Sequence, residues 1–531
     1  MNNENECAYV PVRVNSRAYL IEEELPYTVG VGCSKQRVDN TNGRQERSGS
    51  PSGWTCYLLF CLFAITLGST FIIGYNITLL NQPHHIFRKF VNQSYARRYS
   101  STNEAFEVIW QFTVANFLIG GAIGALVGES ECKYFGRKKA IILNSVIGTI
   151  AGAMMLSSPY TDMFELLLAG RFVAGIHAGS VSALVPPYLT ELAPLSLRGA
   201  AGSFGQLSMV LGGLLASVLG LPIVLGRENE ADVWPLLFIP AVFFPLMQII
   251  LVCFVTESPR WLVLTTGDEN TALNSISKLR GKNYSSDLVD FEVYVLMREK
   301  ERRDDELAMT VRELLQGLLS WPLAICLVMQ LTQQLSGVNI SLNYSNHIFG
   351  KVEFQEPLLN YLIVGINATG VIVALVSIYL VDKMGRRRLM LIGILGLQLA
   401  CLFLCISLNL SRNDDVFRYL TVASTYIFIA AFSIGPGSIP WFIAVELSLP
   451  QFRIASIALC TFLNWSANIA MYLLFPLFSK MLGSYIFLIF MALNFIAFIF
   501  SMLFLPETKG LPVEENVRRL EEKRLQILKN D

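Results

Sequence analysis

The residues with the clearest chemistry lie in "LTQQLSGVNISLNYSNHIF", residues 331–349. At 100° per residue, Thr332, Gln333, Ser336, Asn339 and Asn343 fall within roughly a third of a helix circumference. The stripe is polar and carries no charge. Amides and hydroxyls each donate and accept hydrogen bonds, so this stripe suits a neutral ligand rich in hydroxyls better than an ion. Gly337 permits local unwinding that brings Gln334 round to the same cavity. A second segment, "SIGPGSIPWF" at 433–442, holds Gly435, Pro436, Gly437 and Pro440, which cannot sustain a straight helix. The helix should break there and place Trp441 at the break. An indole offers an apolar face to the C–H side of a pyranose, so the whole inventory describes a sugar site.

The elements that carry these segments are set by composition. Of 531 residues, 53% are hydrophobic and 15% charged, well below the roughly 25% charged residues of soluble domains. The chain therefore reads as an all-α membrane protein. Lys plus Arg and Asp plus Glu cancel at 41 each, which gives no hint of a nucleic-acid partner. The ten cysteines are scattered without paired spacing or a close His, so no metal site or disulfide frame is expected. With four His and no nucleophile elbow, enzymatic chemistry lacks residues and no cofactor is implied. Residues 1–53 carry no apolar run and read as a disordered tail rather than a cleavable signal peptide.

Apolar stretches long enough to span a bilayer, about 20 residues each, occur near 54–80, 108–128, 139–157, 163–187, 200–221 and 234–255. A second set lies near 319–345, 357–380, 389–409, 418–446, 454–477 and 483–505. Twelve transmembrane helices in two six-helix bundles, 54–255 and 319–505, are thus expected. Residues 256–318 form a charged, helix-compatible insert, and 506–531 a short tail. Basic residues concentrate on the cytoplasmic side of membrane proteins. Here one side gathers Lys133, Arg137, Lys138, Lys139, Arg198, the insert, Lys383, Arg386, Arg387, Arg388, Arg453 and "RRLEEKR". Both termini and the insert are expected there. The opposite side holds Asn92-Gln-Ser94, an N-glycosylation acceptor pattern well clear of the membrane.

The halves repeat each other at a period of about 250 residues. "YFGRKK" with Gly136 answers to "KMGRRR" with Gly385. "ELAPLSLR" (Glu191 to Arg198) answers to "ELSLPQFR" (Glu446 to Arg453), and "TESPR" with Glu257 to "PETKG" with Glu507. A duplicated six-span unit fits a transporter that rocks two bundles around a site near the bilayer midplane. Charges at the basic ends can pair across bundles when that side is shut and become solvated when it opens. The expected gate comprises Arg171, Glu191, Arg198, Glu257, Arg260, Asp382, Arg386, Arg387, Glu446, Arg453 and Glu507.

These motifs carry a resemblance. Residues 54–515 resemble the sugar porters of the major facilitator superfamily, close to the animal facilitative hexose transporters. It rests on "GYN" (74–76), "FGRK" (135–138), "GRF" (170–172), "ELAPLSLRGA" (191–200), "ESPRWL" (257–262), "QQLSGVN" (333–339), "DKMGRRR" (382–388), "GPGSIPWF" (435–442), "NW" (464–465) and "PETKG" (506–510). The resemblance implies the major facilitator fold with a cytoplasmic helical insert, and alternating access. It also implies hexose contacts at Gln206, Gln333, Gln334, Asn339, Asn367, Trp441 and Asn464 or Trp465, with Tyr344 closing the site from outside. The chain departs from the pattern at Asn343, where relatives carry an aromatic, and at Ser433, where glucose carriers have a Glu. "GESECKYFG" has an added residue and lacks the expected Asp or Asn before Gly136.

Proton-coupled relatives carry an Asp where this chain has Asn76, and Asn cannot titrate. His177 reads as a hydrogen-bonded interior residue rather than a proton carrier. A uniporter in the plasma membrane is the expectation, with glucose ahead of fructose. The first outer loop resembles the fructose and urate branch. A sensor would need longer cytoplasmic tails than this chain offers.

Overall fold

The computed structural model describes residues 53–81, 83–99, 103–226, 233–282, 284–305, 320–339, 356–410, 415–449, 453–511 and 513–530. Within the expected tail it describes only a two-residue antiparallel pairing, with Arg13 opposite Ala18 and Val14 opposite Arg17. Everything else described is helix or the turns between helices. Ten stretches are long and apolar enough to cross a membrane by length and composition. The last of them, Arg453–Phe504, contains two helices, Arg453–Leu482 and Ile486–Phe504, parted by a single 3-10 turn. Of the expected seventh span, 319–345, the described part contains helix Ser320–Leu335 and the turn at Gly337, and residues 340–345 lie outside the described residues.

Helix boundaries follow local chemistry. Thr55 caps the first helix, Cys56–Leu67, by accepting from the Leu58 amide at 3.1 Å, and its own hydroxyl donates to Leu279 O in the insert. A cap of this kind satisfies one of the unpaired N–H groups at a helix start. Asp268 does the same for Glu269–Arg280 by accepting from Thr271 N at 3.0 Å, and its bonds to Thr271 hold its carboxyl below the usual range. Arg280 then ties the insert to the bundle, donating to Glu292 and to Leu192 O at 2.9 Å. The insert has its own small core of Leu262, Val263, Ala272, Ile276, Val289 and Val293.

The second and third spans run through one long helical stretch, Asn103–Ser157, whose backbone leaves helical geometry at Gly136 with φ 81°. In the second half Gly385, φ 92°, separates Glu356–Met384 from Arg386–Leu410. The repeat seen in the sequence is thus a repeat of chain reversals. Only glycine occupies such a conformation without steric cost. A carboxylate uses the room: a Cβ on Gly136 would lie 2.9 Å from Glu257 Oε2, and one on Gly385 would collide with the Glu507 carboxylate.

Each half packs around its own apolar core, and the spans keep large apolar side chains on their outer faces, among them Ile150, Ile250, Ile372 and Ile496. Such a surface belongs against lipid. Trp465 crosses between the halves: it comes from the second and is buried in the core of the first. Gly121 leaves the space for its ring, which stands edge-on to Phe117 with centroids 5.8 Å apart. Gly385→Ala is expected to destabilise the protein by about 1–3 kcal/mol through backbone strain alone, read as a lower Tm in detergent. An unchanged Tm would mean that the reversal does not need glycine.

Candidate functional site

The ninth and tenth expected spans meet through close backbone contact, since a Cβ on Gly435 would strike Leu389 O. The tenth span then breaks as its glycines and prolines require. Asp415–Ile434 ends, Gly435 to Ser438 form turns, and the helix resumes as Ile439–Glu446. A broken helix frees carbonyl groups that a lipid-embedded bundle must satisfy from side chains. Gln333 supplies that need, with Nε2 donating to Pro436 O at 3.0 Å and Gly437 O at 2.9 Å. Gln330 Nε2 donates to Pro440 O at 2.9 Å.

These amides extend into a neutral network. Asn464 Nδ2 donates to Gln330 Oε1 at 2.7 Å and to Gln333 Oε1 at 2.8 Å, while its Oδ1 accepts from Gln334 Nε2 at 2.8 Å. Asn339 donates to Gln334 Oε1 and, at 3.0 Å, to Asn468 Oδ1. The geometry depends on Gly337: the helix ends at Leu335, and φ 92° at Gly337 turns the chain so that Asn339 faces Gln334. Gln206 joins from the first half, its Nε2 lying 3.1 Å from where a Cβ on Gly437 would stand. No carboxylate belongs to the cluster among the described residues.

The remaining residues of the expected sugar site are spread around it. Asn367 is buried, donates to Ile363 O on its own helix, and sits against Gly213 of the first half. Trp441 is half-buried in the first turn after the break. Trp465 turns away from the amides toward Phe117, and its indole N–H has no partner. Tyr344 and Asn343 lie outside the described residues. Near Phe117, Arg171 stacks on the ring at 4.7 Å and donates to Asn76 O at 2.9 Å. His177 is buried with its ring nitrogens 2.8 Å from Asn144 O and 3.1 Å from Gly68 O.

At the basic end each half builds the same charged junction. Arg137 holds Glu191 with two bonds of 3.0 Å, and Arg386 holds Glu446 at 3.2 and 2.8 Å. Ser258 donates to Glu191 at 2.6 Å, and Thr508 donates to Glu446. Glu257 accepts from the amides of Arg137, Lys138 and Ser258, as Glu507 does from those of Arg386, Arg387 and Lys509. Burial pushes the Glu257 carboxyl up, against the pull of those amides and of Arg137. Here, among the described residues, a hydrogen bond joins the halves directly: Asp382 Oδ2 accepts from Ala200 N at 2.9 Å.

A search against known families matches residues 60–519 to the family described as "Sugar (and other) transporter". The chain belongs to the sugar transporter family. Among curated relatives, solute carrier family 2 facilitated glucose transporter member 1 of Gallus gallus is 35% identical over 88% of this chain and 94% of its own length. Member 4 of Mus musculus is 35% identical over 85% and 88%. These are transporters of the animal facilitative group, not enzymes. Among solved structures, the proton:xylose symporter XylE bound to 6-bromo-6-deoxy-D-glucose superposes with a TM-score of 0.76 at 23% identity, over 87% of this chain and 99% of that one. Inward-open XylE gives 0.65, over 87% and 100%. The fold is that of the major facilitator superfamily.

Within this sugar transporter, sequence reasoning and structure part at three places. Arg171, grouped with the gate, stands near the opposite end of Phe164–Leu192 from Glu191; twenty residues of helix separate them by about 30 Å. Glu191 and Glu446 were expected to pair across the bundles, yet each is held by an arginine of its own half. Arg198 and Arg453 act on Glu446 and Glu191 across the halves through space rather than by direct bonds. Arg260 pairs with Glu299 of the insert, and Arg387 reaches Met502 O. Left out of the expected gate were Arg137, Ser258 and Thr508, although aligning the repeats places Arg137 on Arg386 and Ser258 on Thr508. Gln330 and Asn468 were missed too, each one turn from an expected residue. Arg386→Leu is expected to cost about 3–5 kcal/mol by leaving Glu446 buried and unpaired, with Arg386→Leu/Glu446→Leu recovering much of it. Thermal unfolding of the three proteins checks this, and equal loss in single and double variants would contradict it.

Proposed function

We propose that the chain is a hexose uniporter of the plasma membrane that moves glucose, and fructose second, by alternating access. The observation that carries this reading is the neutral network at the broken helix. Gln333, Gln334, Asn339 and Asn464 form a cluster whose amides bond chiefly to one another and to the freed carbonyls, with Gln206 of the first half beside it at Gly437. Each can exchange an internal bond for a sugar hydroxyl at little net change, because both partners donate and accept. Asn367 and Trp441 complete the contacts, the Trp441 indole serving the apolar face of the ring, while Trp465 packs on Phe117 at the border of the site. Tyr344 closes the outer side. Binding by exchange of neutral bonds is weak, and a carrier requires weak binding to release its cargo.

The basic end is the cytoplasmic gate in this reading, formed by Glu191, Arg198, Glu257, Arg260, Asp382, Arg386, Arg387, Glu446, Arg453 and Glu507. Asp382 on the Ala200 amide latches the halves together there. Both termini and the insert are cytoplasmic by the placement of Lys and Arg. Asn92 lies on the opposite side, exposed on helix His84–Arg98, and is assigned as a glycosylation site.

The relatives named as facilitated glucose transporters, together with Asn76, favour a carrier without proton coupling. Uptake of labelled glucose and fructose into liposomes containing the purified protein is expected to be stereoselective and unchanged by a pH gradient. Gln334→Ala and Trp441→Ala are each expected to cut hexose flux at least about tenfold, the effect of losing one good polar or stacking contact, with normal membrane expression. Normal flux in both would remove the site assignment while leaving the transport reading open to the liposome result.

A further inference from the structure

The two charged junctions differ in one part. In the second half the Asp382 carboxylate lies between Arg386 Nη1, at 3.1 Å, and the Ala200 amide at the start of helix Arg198–Leu219. Gly199 makes this approach possible, since a Cβ there would stand 2.5 Å from both Asp382 Oδ1 and Arg386 Nη2. The first half repeats the surroundings: Arg137 for Arg386, Glu191 for Glu446, and the start of Arg453–Leu482 for that of Arg198–Leu219. Yet the residue four before Arg137 is Lys133, which is exposed with its ammonium 5.8 Å from the Tyr134 ring centroid. Ile454 stands in the place of Gly199.

Where the carboxylate would sit, the first half has a cavity of about 10 Å³, lined by Gly128, Cys132, Arg137, Arg453, Ile454 and Ile457. Arg453 is 3% exposed and its Nε has no hydrogen-bond partner. Its guanidinium makes one long bond, 3.4 Å to Ser448 O. The charges acting on it are Arg260, Glu299, Glu191 and Arg198. Both carboxylates among them are taken, Glu299 by Arg260 and Glu191 by Arg137. Glu131, the carboxylate nearest in sequence, accepts from Asn144 instead. Among the described residues, a buried cation without a committed counter-charge thus lines a cavity beside the positive end of a 30-residue helix. An unpaired buried charge is costly, which leaves this place in need of an anion.

We propose that the cavity is a binding site for a halide-sized anion, chloride, held by Arg453 and Arg137 where the other half carries the Asp382 carboxylate. Its small volume, near the lower limit for one water molecule, favours a monatomic ion over the larger phosphate or sulfate. One latch of the basic end is then built into the chain and the other depends on an exchangeable ion.

The test uses the purified full-length chain in lipid nanodiscs, in chloride, bromide and gluconate salts at equal ionic strength. Chloride and bromide are expected to raise Tm over gluconate by about 2 °C and to saturate. Arg453→Gln, which removes the buried cation from the cavity lining, should be indifferent to the salt. Equal Tm of the unaltered chain in all three salts would overturn the proposal and leave the cavity to water, as would an undiminished halide response in Arg453→Gln. Bromide anomalous scattering from crystals of the unaltered chain tests it without any variant: a peak in contact with Arg453 supports the site, and no peak there rejects it.

Discussion

A carboxylate buried at a helix junction must find its counter-charge and its hydrogen bonds locally, and the basic end of this protein is organised around that demand. Glu191 and Glu446 each receive a bidentate arginine and a hydroxyl. The side chains of Arg386 and Glu446 are only 2% and 4% exposed, so neither has water to fall back on. Paired guanidinium and carboxylate groups in a fork arrangement fix geometry as well as charge. Glu257 and Glu507 are satisfied differently, by the backbone amides that follow a glycine reversal. The reversal, the amides and the carboxylate define one another, which is why glycine, arginine and glutamate recur together in both halves.

The demand that fixes the basic end also shapes the centre, where the groups that need partners are neutral. A helix broken inside a bilayer leaves carbonyl groups that only the protein can satisfy. Gln333 satisfies those of Pro436 and Gly437 while Gln330 bonds the Pro440 carbonyl of the resumed helix, and both are thereby held with their own carbonyl oxygens turned to Asn464. The amide cluster is therefore a support for the break before it is a site. Because that support is neutral throughout, no step of ligand exchange there requires a charge to be uncovered. Rigid charge at one end and exchangeable neutral bonds at the centre divide holding from binding.

Much of this was legible in the sequence, for reasons that can be named. Spans, the repeat and the break at Gly435 to Pro440 follow from apolar length, motif recurrence and the conformational limits of Gly and Pro. Gln333, Gln334 and Asn339 could be assembled because polar groups in an apolar span are costly unless a ligand or a neighbouring helix satisfies them, whereas Asn464 entered only through the resemblance. Pairing partners were not legible. The recurrence of Glu191 with Arg198 and of Glu446 with Arg453 at one spacing suggested charges that pair across the bundles. The structure instead gives each glutamate to an arginine at the far side of a chain reversal, a contact that depends on how helices cross. Arg171 was misplaced because a motif shows that a residue matters without showing at which end of its helix it acts.

The asymmetry between the junctions bears on how the two bundles separate. On the second-half side, Asp382 meets the Ala200 amide at hydrogen-bond distance, and Gly199 removes the side chain that would hold the surfaces apart. On the first-half side, Ile454 fills that position and a cavity takes the place of the carboxylate. Opening the first contact exposes a carboxylate and a helix end that water can solvate at once, so its cost is the difference between two well-satisfied states. In the gate reading, opening the second contact hydrates Arg453 and releases any anion held there, so its cost varies with that anion. The two junctions of one ancestry are thus built to resist separation unequally, one by a carboxylate of the chain and the other by a group from solution.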